Sequence, residues 1–198
     1  MSVLAHHLVW TAYGTWLGND PRGSGSRLVY TPELRELAEP HFGRRRVQPP
    51  RQLVRSFYEK ASPRLIYPVM RFDDLQIQEI GHAFGDVIQK QRYTCYAYAI
   101  MPDHVHLVIR KHRQRGEEMI EHLQRESRLA KCFVDGLASS HPIWTRGGWV
   151  RFLDSPNAIR GRVRYVSDNP EQDGLRRQAW PFVVAYDGWP FHKQRPPR

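Results

Sequence analysis

The chain has 198 residues, enough for one ordinary domain with a sizeable core, so folding needs neither disulfides nor a structural metal. Lysine and arginine number 30 against 20 acidic residues, a formal charge of +10 carried largely by arginine, which favours polyanions, either an anionic membrane or, ahead of it, nucleic acid. Three classes fall away: no stretch has the apolar length of a membrane span, residues 1–9 lack the charged-then-apolar pattern of a secretory signal, and Cys95 and Cys132 form no CxxC pair. The expected setting is a reducing cytoplasm, with association to the nucleoid.

In chain order, 7–16 (HLVWTAYGTW) is rich in β-branched and aromatic residues and reads as a first strand. A Gly/Ser/Asp loop follows over 17–28, and Thr31-Pro32-Glu33 looks like the start of a short helix capped by Thr31. Residues 41–55 carry Arg44, Arg45, Arg46, Pro49, Pro50, Arg51 and Arg55 and read as an exposed basic linker or arm. From Asp73, a candidate cap, Ile77, Ile80, Phe84, Val87 and Ile88 recur at helical spacing. Residues 93–100 and 104–110 predict two strands joined at Met101-Pro102-Asp103. Ile120, Leu123, Ser127, Ala130 and Val134 predict a second amphipathic helix over 117–134. Gly147-Gly148 precede a fourth strand at 149–153. Ser155 and Pro156 open a last helix that Asn169-Pro170 should end.

This order, β-α-β-β-α-β and a further helix, predicts an α+β fold: a ferredoxin-like, split βαβ antiparallel sheet with helices on one face, plus the C-terminal helix. Residues 17–70 would be an Arg/Pro-rich insertion or arm after the first strand, and 186–198 a flexible basic tail of one domain spanning 1–198.

His104 and His106 alternate on a predicted strand, so both imidazoles project from one face and form half of a metal site. Two ordinary surface histidines are the plainer reading. A histidine-triad nucleotide hydrolase would need a third alternating histidine, and position 108 is Val108. Tyr165 and Asn169 stand one turn apart on one face of the last helix, beside a stripe of Ile159, Val163 and Val166. Alone, Tyr165 would be an amphipathic edge residue and Asn169 a helix C-cap. Arg160, Arg162 and Arg164 add positive charge nearby but cannot share one helix face.

Together these residues carry a resemblance. The run 96–109 (YAYAIMPDHVHLVI) resembles the HUH block of single-tyrosine transposases, where a His-hydrophobic-His triplet follows a Met-Pro turn. The run 144–175, with Trp144, Trp149, Tyr165, Val166, Asn169, Pro170, Gly174 and Leu175, resembles their C-terminal block, in which Tyr-Ile-x-x-Asn-Pro-x-x-x-Gly ends the nucleophile helix. The chain looks most like the REP-associated tyrosine transposases and related insertion-sequence transposases. The likeness spans 84–175, weakens at the first strand, and covers the arginine-rich insertion poorly. Glu171-Gln172 stand where members often have Val-Lys.

The resemblance implies a DNA strand transferase. His104 and His106 would hold Mg2+ or Mn2+, with the Asn169 side-chain oxygen as third ligand. Tyr165 would attack the phosphate to give a 5′-phosphotyrosine. The substrate would be single-stranded or hairpin DNA, with Arg44, Arg45, Arg46, Arg51, Arg55, Arg160, Arg162 and Arg164 binding it. Trp10, Trp16, Trp144 and Trp149 are candidate stacking residues. Homodimer and monomer both stay open. Two rivals remain: a domesticated, non-mobile DNA-binding protein of the same fold, and a metal-dependent phosphohydrolase that would not need Tyr165.

Overall fold

The computed structural model describes residues 2–25, 31–130, 137, 138 and 140–191. Its elements are β1 (Ala5–Thr11), α1 (Arg51–Ala61), α2 (Asp74–Gln91), β2 (Cys95–Ile100), β3 (His104–Arg110), α3 (Gly116–Ser127), β4 (Trp149–Leu153) and α4 (Pro156–Gln172). The four strands form one sheet, ordered β2-β3-β1-β4, and every pairing is antiparallel. This is the expected α+β, split βαβ arrangement. Among the described residues, no helix is long and apolar enough to cross a membrane.

Strand alternation divides the core between the two faces of the sheet. Leu8, Trp10, Tyr98, Ile100, Val105, Leu107 and Ile109 project to one face and pack with Ile80, Phe84 and Val87 of α2 and Met119, Ile120 and Leu123 of α3. Ala5, Ala97, Ala99, Val108 and Leu153 project to the other and pack with Ile159 and Val166 of α4. So α2 and α3 share one face, and α4 lies alone across the opposite one.

The helix starts follow their local chemistry. Asp73 accepts from the Gln76 N–H and the Gln76 side chain answers the Asp73 N–H, a closed capping box. Ser155 accepts from the Ala158 N–H, with Pro156 in the first turn of α4.

Several boundaries depart from the sequence expectations. The first strand ends at Thr11, and Thr15 folds back to donate to the Ala12 carbonyl. Thr31 makes no side-chain cap bond, and the helix after it is one 3-10 turn, Pro32–Leu34. The expected arm ends in a helix: α1 starts directly after Pro50 and buries Phe57 and Ala61. Asn169-Pro170 does not end the last helix, because α4 runs on to Gln172 and its C-cap is Asp173. A proline this near the end removes one backbone donor and leaves the next turn free to close. Val134 and Cys132 lie outside the described residues, as do 192–198 of the expected tail.

Within 17–70, Leu34, Phe57 and Ala61 form a separate small cluster with Leu17, Leu37, Tyr58 and Leu65. The buried Asp20 carboxylate accepts from Arg22 and from the Tyr58 hydroxyl, so its charge is paired. After α4 the chain returns along the outer edge of β2. Gln178 bonds both the N–H and the carbonyl of Ile100, and the Val184 N–H reaches the Cys95 carbonyl. Tyr186 and Trp189 pack beside α4 and β2.

Candidate active site

The α4 side of the sheet places three histidines and a tyrosine together. His104 and His106 leave β3 on that side, and His7 leaves β1 beside them. The His104 and His106 ring centroids are 4.9 Å apart, and His7 stacks on His106 at 5.2 Å. Tyr165 comes from α4 and sets its ring edge-on, 5.6 Å from His106 and 6.2 Å from His7. Its side chain is 41% exposed, while His7 and His106 are buried. The Arg162 guanidinium lies 4.9 Å above the Tyr165 ring, a cation–π contact.

Both β3 imidazoles have their Nδ1 occupied. His104 Nδ1 stands 2.6 Å from the Asp103 carboxylate, and His106 Nδ1 stands 3.1 Å from His7 Nε2. In both rings this leaves Nε2 as the remaining nitrogen. Histidines that hold metals are oriented in this way, by a partner on the far nitrogen. Burial, then the charges of Arg162 and Arg151, bring the His7 imidazole down to about 3. Burial, then His104, His7 and Arg162, bring His106 down to about 2. Both rings are therefore neutral at physiological pH and keep a lone pair.

Asn169 is buried one turn beyond Tyr165, and among the described residues its Nδ2 has no hydrogen-bond partner. An unpartnered buried amide costs stability unless something outside the chain meets it. The amide can turn over about its terminal bond, which would present an oxygen at the same place. Among the described residues, no three His, Cys, Asp or Glu side chains gather as a metal cluster. The two β3 imidazoles, with ring centroids 4.9 Å apart, are the candidate donors that the described geometry brings together.

The other candidates scatter. Arg44, Arg45 and Arg46 are exposed in the loop before α1, and Arg51 is exposed in its first turn. Arg55 pairs with Glu59 at 2.9 Å. Arg160 turns away to Asn157 and Tyr186, Arg164 is exposed, and of that trio only Arg162 reaches Tyr165. Trp10 and Trp144 are core residues. The Trp16 indole N–H donates to the Gly23 carbonyl, under Arg22. Trp149 alone of the four is widely exposed, at 62%. His7 and Arg151 are the residues that sequence reasoning missed. His7 shares a face with His106 only through the β1–β3 register, which no local pattern announces.

No family model matches the chain, and no curated protein matches it. Among solved structures it is similar to a REP-associated tyrosine transposase bound to a REP hairpin, at 13% identity and a TM-score of 0.48. That alignment covers 92% of this chain and 76% of the other, a likeness too slight to assign a role to any residue.

Proposed function

We propose that this chain is a transposase-type DNA strand transferase that cuts and rejoins single-stranded or hairpin DNA through Tyr165. The observation that carries the reading is a half-exposed phenol packed edge-on against two strand-borne imidazoles, His106 and His7, with His106 Nδ1 already held by His7 and the neighbouring His104 Nδ1 held by Asp103. His104, His106 and Asn169 would hold a divalent ion, Mg2+ or Mn2+, which when bound polarises the phosphoryl oxygens and offsets negative charge.

The chain's own groups do the rest. The Tyr165 oxygen bonds to phosphorus and the bond from phosphorus to the 3′ oxygen breaks. The phenolic proton passes to water, and the departing 3′ oxygen takes up a proton from water to leave as a hydroxyl, so the step is balanced in protons. The product is a 5′-phosphotyrosine, and attack by another 3′ hydroxyl reverses the step and joins strands without ATP. Arg162 holds the ring from above and brings positive charge beside the phosphate. His7 has a defined task. For His106 to keep its lone pair on Nε2, the proton must sit on Nδ1, and His7 Nε2 must accept it.

The test is Tyr165→Phe, which removes only the hydroxyl. Incubated with metal and hairpin DNA, wild type should give a covalent protein–DNA adduct on denaturing gels. The Phe variant should give none while binding DNA nearly as well. Cleavage by the Phe variant at the wild-type rate rejects the assignment, and a protein that only binds DNA gives no adduct in either form.

A further inference from the structure

The α4 helix packs chiefly on β2 and β3, covers Ala5 and Leu153 at one end of β1 and β4, and leaves Trp149 and Arg151 of β4 exposed. The strand register fixes what stands there. Trp149 is opposite Val9, which is opposite His106, and Arg151 is opposite His7. Directly opposed residues share a face, so Trp149 and Arg151 project to the same side as Tyr165. Two strand spacings, about 10 Å, separate Trp149 from His106, a span that one nucleotide unit bridges. The backbone just before the indole is closely packed. Gly148 brings β4 so near β1 that a Cβ would stand 2.8 Å from the Val9 carbonyl oxygen.

We propose that this open trough binds one nucleotide of single-stranded DNA beside the reacting phosphate, its base stacked on Trp149 and its phosphate between Arg151 and Arg162. Charge complementarity selects the occupant. Neither guanidinium has a carboxylate partner among the described residues, and Arg162 feels Arg151: burial and then Arg151 hold the Arg162 guanidinium below its ordinary range. Two crowded, unpaired guanidiniums beside an exposed indole ask for an anion joined to a flat ring. Phe152, the other exposed aromatic of β4, alternates to the opposite face and meets His6 there, so it is no part of the trough.

The inference rests on the proposed DNA chemistry for its position beside Tyr165, but its test is separate. Affinities of wild type, Trp149→Ala, Trp149→Phe and Arg151→Gln are measured by fluorescence anisotropy for a dT oligomer and for an abasic oligomer of equal length. Wild type should prefer dT by about tenfold, the scale of one base–aromatic stack. Trp149→Ala should bind both alike, and Trp149→Phe should keep most of the preference. Arg151→Gln should weaken both oligomers and flatten the log–log salt slope by about one unit. Retention of the full dT preference by Trp149→Ala overturns the proposal. So does a DNA-free wild type of twice the monomer mass that Trp149→Ala reduces to monomer, because a second copy then covers the face. A base preference that depends on Trp149, in a protein that forms no adduct, would leave this site standing and reject the catalytic reading instead.

Discussion

Asn169 raises the question of what a buried amide is for when its Nδ2 meets no partner among the described residues. It cannot be the cap of its helix, because α4 continues to Gln172 and Asp173 takes that position. Two roles remain. Turned one way, the amide gives an oxygen to a cation; turned the other, its N–H donates to a phosphate oxygen. Asn169→Asp separates them, since a carboxylate can ligate but cannot donate. If Asn169 is a ligand, Ala should raise the metal concentration for half-maximal cleavage by roughly tenfold or more, and Asp should restore it. If Asn169 is a donor, Asp should cleave as poorly as Ala at an unchanged metal midpoint. The same titration on His7→Leu tests the tautomer argument: removing the acceptor on His106 Nδ1 should weaken metal use to a similar degree. A His7→Leu curve superimposed on wild type would make His7 a packing residue.

At the level of elements, local signals were legible and long-range ones were not. Asp73, Ser155-Pro156 and the strands at 104–110 and 149–153 are written in adjacent residues, and each stands where its pattern puts it. His104, His106 and Tyr165 were legible for the same reason: two alternate on one strand, and the third shares a helix face with Asn169. The helix α1 was hidden because Pro49-Pro50 and the arginines around them look like an open arm, while its buried stripe of Phe57 and Ala61 is short. His7, Arg151 and the return of 175–191 along β2 were hidden because each depends on a partner far away in the chain. That return also explains two glycines in α2. At Gly81 a Cβ would stand 2.1 Å from the Trp180 ring, and at Gly85 it would stand 2.9 Å from Phe182. In a helix interior glycine is disfavoured, so ordinary propensity favours Gly81→Ala by about 1 kcal/mol. The close approach of Trp180 reverses that sign. Overpacking should leave the variant about 1–3 kcal/mol less stable in urea melts. A Gly81→Ala protein more stable than wild type would mean that Trp180 does not dock there.

For the molecule as a whole, the charge of +10 includes two arginine groups in different places. Arg151 and Arg162 stand on the phenol's side of the sheet, where the proposed chemistry would need a phosphate oriented. Arg44, Arg45, Arg46 and Arg51 lie exposed around the start of α1, on a segment with its own small core. Contacts of the second kind hold a polyanion without reading it, because guanidinium–phosphate pairs carry no sequence information. Each such pair displaces condensed counterions, so removing it should appear in the salt dependence of binding. Neutralising these four arginines to glutamine should therefore weaken every DNA tested by a similar factor. The log–log salt slope should flatten by about one unit for each phosphate no longer neutralised. Arg55 should count for less, since Glu59 already engages it at 2.9 Å and an exposed pair of that kind is partly satisfied. Adduct formation at saturating DNA should be nearly unchanged in the same variant, because the four belong to the insertion and not to the elements that carry the phenol and its imidazoles. An unchanged salt slope would place the bound strand elsewhere on the protein, and an adduct abolished at saturation would mean that the insertion shapes the active site directly.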